Sequence, residues 1–161
     1  MKSVSLLKDA GVLLLLVVLH YTVRPLLGSR VSVDFLVLAV LLVSVRVRPG
    51  AAALAGLAVG VIADSLAPLS FGAGAMSLSA VGFAASWLKA AVFSDNVMLQ
   101  AIFFAAGKWA FDLLYVLAER RMAPGELLMQ MAFWSPLSAV ATGLAGVLVV
   151  LVFRMSMESR P

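Results

Sequence analysis

Residues 50–69 read GAAALAGLAVGVIADSLAPL, twenty positions with a single charged side chain, Asp64. About 20 consecutive apolar residues make a helix long enough to cross the hydrocarbon core of a bilayer. Ala52, Gly56, Gly60 and Asp64 recur every fourth residue, so on a helix they form one stripe on one face. Gly56 and Gly60 are a GxxxG pair, the spacing that lets a second helix backbone approach closely. Asp64 ends the stripe and is therefore expected to face protein rather than lipid.

Outward from this stretch the chain repeats the pattern. Of its 161 residues 63% are hydrophobic and 12% charged, with a mean hydropathy of +1.10. Soluble domains carry about 25% charged residues, so a water-soluble globule is not expected. Breaks at charges, Pro and Gly predict six spans at roughly 9–27, 33–46, 50–69, 71–92, 97–118 and 127–153. The fold class expected is an all-α integral membrane protein, one compact bundle of six transmembrane helices in a single domain over 1–161, with no extramembrane domain. The second span is short and is expected to lean on neighbours or sit in thinned bilayer. The turn Ala67-Pro68-Leu69-Ser70-Phe71-Gly72 joins spans three and four. The last span is expected to open around Trp134-Ser135-Pro136, with the proline in a first turn.

The formal charge of +4 does not indicate nucleic acid, because the cations stand singly or in pairs at the ends of apolar runs. Lys2, Lys8, Arg46, Arg48, Lys89, Arg154 and Arg160 fall on one side of the six-span plan, and Arg24, Arg30, Arg120 and Arg121 on the other. The richer side is assigned to the cytoplasm, which places both termini there. The start resembles a signal peptide in outline but has no small-residue cleavage site before Arg24-Pro25, so it reads as a retained first helix. Zero cysteines and one histidine exclude disulfides, Cys-ligated metal and His-rich metal sites, and no cofactor is expected.

The fifth span holds Lys108 and Asp112 one turn apart. Gln100, Lys108, Asp112, Tyr115 and Glu119 fall within about a third of the helix circumference. A charge at mid-bilayer costs at least about 2.5–3.5 kcal/mol, so this stripe must face partners. Arg24, Asp64 and Asp112 each lie about 15 residues from the inner start of their span, about 22 Å up. We therefore expect Arg24, Asp64, Lys108 and Asp112 to form an intramembrane charge network. The simpler alternative has Arg24 snorkelling to the interface and Lys108 pairing only with Asp112. His20 is expected to hydrogen-bond within the bundle. Ser77, Ser79 and Ser86 lack a base, the methionines are scattered, and an enzyme is not expected. The small residues of span six (Ser135, Ala139, Gly143; Thr142, Gly146) read as helix packing.

The run from Gly56 through Gly60 and Asp64 to Phe71-Gly72 resembles the rod shape-determining protein MreD family, whose pattern is a GxxxG helix ending in Asp, a short turn, and an aromatic or aliphatic residue with Gly opening the next helix. Length and hydropathy plan are similar too. The resemblance implies a non-catalytic scaffold subunit of the bacterial cell-wall elongation complex in the inner (cytoplasmic) membrane. The partners it implies are an MreC-like bitopic protein, a RodA-type polymerase, a class B penicillin-binding protein, the MreB filament and membrane lipid. Arg46 and Arg48 on the inner side and the 119–126 outer loop, with Arg120 and Arg121, are the expected partner-contact loops. The competing class is a substrate-binding membrane subunit of a vitamin-type transporter, which the six-helix plan also resembles. In that case Arg24, Asp64, Asp112 and Tyr115 would line a pocket and Ala51/Ala55 would dock a coupling protein.

Overall fold

The computed structural model describes residues 11, 15–22, 33–66, 70–89, 96–119 and 124–158. Every element among them is helical, with no strand. We label them α1 (15–22), α2 (Phe35–Ser44), α3 (Pro49–Ser65), α4 (Ala73–Trp87), α5 (Val97–Glu119), α6 (Pro124–Met129) and α7 (Ser135–Glu158), with a π-helical turn, Gln130–Trp134, joining α6 to α7.

The shortest of the long apolar segments occupies the centre. α2 has 10 residues, begins on Asp34 as its N-cap, and is apolar all round. A helix with no polar face lies either in a protein core or against lipid. α2 takes the first course, packing against α3, α4, α5 and α7, which leaves Val37 to Leu41 essentially inaccessible. Its brevity therefore reflects a place inside the bundle, in line with the expectation that it leans on neighbours. On α1, Leu16 and His20 are buried while Leu15, Val18 and Tyr21 are exposed, so the i, i+4 face points inward.

α3 and α4 form the tightest pair. Pro49 sits in the first turn of α3, where its missing N–H costs nothing. A Cβ added at Gly56 would meet the backbone of Leu78 and Ser79, and one at Gly60 the backbone of Gly74 and Ala75. The GxxxG pair thus marks a backbone-to-backbone crossing, and Gly82 returns the contact from α4 against the Ala52 carbonyl, 2.8 Å from an ideal Cβ. On the opposite side α5 packs on α7. There Gly143 approaches the Ala101 carbonyl and Gly146 the Phe104 ring, so these two glycines of the last helix are packing residues.

The last helix corrects one sequence reading. Pro136 does not lie in a first turn: helix begins at Pro124, and Pro136 falls within a continuous helical run. An interior proline removes an amide and crowds the carbonyl four residues earlier, here Ala132. The π turn takes up that conflict, with the Ser135 amide reaching back to the Gln130 carbonyl. Glu126 accordingly belongs to the first turn of α6 rather than to a loop, while Arg120 and Arg121 lie outside the described residues.

Two helical runs, Val97–Glu119 and Gly125–Val152, are long and apolar enough to cross a membrane. Many of their large side chains point away from the bundle: Ile102, Trp109, Leu113 and Leu117 on α5, and Leu137, Val140, Leu144, Leu148 and Val152 on α7, are exposed, while Phe103, Phe104 and Val147 face the core. A set of polar side chains is buried among that apolar core.

Candidate functional site: a buried polar cluster on four helices

Lys108 stands at the midpoint of the 23 residues of α5 and is 6% exposed. A lysine buried to that degree must find anionic partners or lose its charge. Lys108 has two. Its Nζ donates to Asp34 Oδ2 at 3.2 Å and to Asp112 Oδ1 one turn along its own helix. The ammonium also lies 5.1 Å from the centre of the Phe111 ring, a cation–π distance.

Each carboxylate is tied to a further helix. Asp112 Oδ2 accepts from Ser135 Oγ at 2.6 Å, linking α5 to the start of α7. Asp34 Oδ1 accepts from the Val37 amide, the side-chain cap of α2, and lies 3.5 Å from His20 Nδ1 of α1. The Asp34 amide in turn donates to Thr142 Oγ1 of α7 at 3.1 Å. One connected set of polar groups therefore joins α1, α2, α5 and α7. Helices with uniformly apolar surfaces can slide and rotate against one another, whereas a buried charge pair is satisfied in one register only.

Asp64 has a different role. Its Oδ2 accepts from the backbone amides of Gly72 at 2.8 Å and Ala75 at 3.0 Å. The first amides of a helix lack intrahelical partners, and a carboxylate there answers both the orphan donors and the positive end of the helix dipole. Asp64, at the end of α3, thus caps α4 from eight to eleven residues away. Gly72 adopts φ +97°, a left-handed conformation that glycine reaches without strain. Gly74 is required because a Cβ there would strike the Asp64 carboxylate. Phe71, beside it, is exposed.

This corrects the four-residue network expected from depth arithmetic. Lys108 and Asp112 do pair, but among the described residues Asp64 makes no ion pair with Lys108, since backbone amides take its carboxylate. Arg24 lies outside the described residues. Asp34 takes the place assigned to Asp64. Its signal in the sequence was an acidic residue at the head of an apolar run, the mark of an N-cap; that it is also an ion partner depends on α2 being central. Tyr115 Oη donates to Ser70 Oγ at 2.9 Å, joining α5 to the α3–α4 turn.

The carboxylates, ammonium and hydroxyls of the cluster are directed at one another. An apolar groove of about 660 Å³ beside the π turn, lined by residues such as Met129, Phe133, Trp134 and Leu137, shares no residue with it. Among the described residues no group of three or more His, Asp or Glu side chains is arranged to hold a metal ion. Compared with known proteins, the chain matches no family model, no curated protein and no solved structure.

The capping geometry carries a direct expectation. Asp64→Ala should destabilise the protein by about 1–2 kcal/mol, the range for losing an N-cap, and Gly72→Ala by about 1 kcal/mol for a left-handed residue. Thermal melting in detergent checks both. Unchanged melting of Asp64→Ala would mean the cap is dispensable.

Proposed function

We propose that this chain is a membrane-embedded, non-catalytic scaffold subunit of the MreD type, serving bacterial cell-wall elongation in the cytoplasmic membrane with both termini inside. The observation that carries the membrane part is the inverted distribution of side chains. Lys108, Asp34, His20, Ser135 and Thr142 are buried while leucines and valines line the outside of α7. In water so extended an apolar stripe would be an aggregation liability, whereas against lipid it is the favoured surface.

The family part rests on the α3–α4 unit. Gly56 and Gly60 at a backbone crossing, Asp64 as the cap of α4 and Gly72 in a left-handed turn give four residues of the MreD-like pattern a definite physical task. A protein built almost wholly of membrane helices acts through helix faces and short loops, which suits contact with an MreC-like bitopic protein and with RodA-type and penicillin-binding synthases. The transporter alternative needs polar groups left open for a ligand. The pairing of Lys108 with two carboxylates favours the scaffold instead.

The test is affinity purification of the tagged protein from detergent-solubilised membranes, with co-purifying proteins identified by mass spectrometry. Recovery of an MreC-like protein together with wall synthases is the expected result. Recovery of ATP-binding-cassette subunits with a small molecule would replace the scaffold with the transporter.

A further inference from the structure

Ahead of Ser135 the last helix leaves the bundle. Downstream, α7 packs on α5 in antiparallel register, with Ala105 against Gly143 and Asp112 against Ser135. Carried straight back, that register would lay residues 128–134 along the last turns of α5. Instead α6 and the π turn pack along none of α2 to α5, and no residue of 125–134 is buried. The point of departure holds the π turn and Pro136, both recognised causes of sharp bends. On this arm Glu126 and Gln130 stand four residues apart on one face, and Leu128 and Ala132, both exposed, on the opposite one.

Length places the bend at a definite depth. The apolar run Gly125–Val152 has 28 residues, about 42 Å of helix. Held straight inside a hydrocarbon core about 30 Å thick, it would tilt by about 45°, beyond the roughly 0–40° that membrane helices show. Arg154 and Glu158 follow Val152 and set the polar boundary at that end. About 20 residues counted back from Val152 end at Phe133, inside the π turn. Trp134 thus stands at the opposite boundary, where tryptophan is enriched. Given the membrane reading above, we propose that residues 124–134 are an interfacial arm, bent from the α7 span at the π turn and lying in the headgroup–acyl boundary of the bilayer. An upright arm would carry Leu128, Met129 and Phe133, all exposed, into water. A flat one sinks its apolar side about 5–10 Å into the boundary and turns Glu126 and Gln130 to the headgroups. The groove running from Met129 to Val140 makes the apolar surface continuous across the bend.

The chain has no cysteine, so Glu126→Cys, Leu128→Cys, Ala132→Cys and Leu144→Cys each give one site for a nitroxide spin label. All four positions are exposed, so the labels leave the core intact. Relative accessibility to oxygen and to a water-soluble nickel chelate reads the depth of each label in phosphatidylglycerol–phosphatidylethanolamine vesicles. In a flat arm the labels at 128 and 132 sit at one depth, the label at 126 lies nearer water, and the label at 144 is deepest. In an upright arm the label at 128 would stand about 6 Å shallower than that at 132, four residues of helical rise. That order overturns the proposal. Shielding of the 128 and 132 labels from both reagents also overturns it, because protein, such as a second copy of the chain, would then cover the arm. Nickel reaching the 144 label as freely as the 126 label would overturn the membrane reading, and the arm with it. A shielded 144 label beside an upright or covered arm leaves that reading standing.

Discussion

Lys108→Met should abolish most of the folded, monodisperse protein recovered in detergent. The substitution removes the cation shared by Asp34, which is buried, and Asp112, which is part-buried. Removing one partner of a buried ion pair costs about 3–5 kcal/mol, because the charge left behind has already lost its water. That is a large part of the 5–15 kcal/mol by which typical domains are stable. Fluorescence-detected size exclusion after a heating series gives the measurement. The companion variant Asp34→Asn/Lys108→Met/Asp112→Asn removes all three charges together and should recover much of the loss, since the penalty arises from the unmatched charge. Such non-additivity is the signature of residues in one network. A single variant as stable as wild type would show that the cluster does not hold the helices.

Gly60→Val is the second large effect. An ideal Cβ at Gly60 already meets the Ala75 backbone, with the Ala75 nitrogen at 2.7 Å, and valine adds two branches to that atom. Overpacking usually costs about 1–3 kcal/mol, and this site should lie at the top of that range or above it. The obstacle is main chain and cannot rotate away. α3 and α4 must then separate, which also pulls Asp64 from the amides of Gly72 and Ala75. Two losses follow from one side chain. Gly50→Ala is the matched control: nothing lies within 4 Å of its ideal Cβ, and alanine in a helix gains about 0.5–1 kcal/mol over glycine. Thermal melting of the two variants in the same detergent should move in opposite directions. If Gly60→Val melts with wild type, the GxxxG stripe is not the crossing point of α3 and α4.

The largest disagreement between the linear pattern and the fold concerns Asp64. On a helix wheel it completes a small-residue stripe, and by depth it lies level with Asp112, so an ionic role was the economical reading. The competitor was the backbone itself. A helix N-terminus is invisible as a charge in the sequence, yet it offers several unpaired amides. The turn after α3 brings those of α4 onto the carboxylate. The proline of the last helix taught a similar lesson: a residue that ends most helices is accommodated here by one wide turn, which hydropathy cannot register.

Composition and short spacing carry the local part of this architecture. The helical class, the apolar runs, the GxxxG stripe and the Lys108–Asp112 pair one turn apart all follow from neighbours within a few residues. Tertiary structure alone decided that α2 lies at the centre, that Asp34, 74 residues from Lys108, is its second partner, and that His20, Ser135 and Thr142 join the same cluster. The physical reason is that an apolar helix face specifies burial but no particular neighbour. The few buried polar groups select the neighbours, because each finds its partner on a different helix.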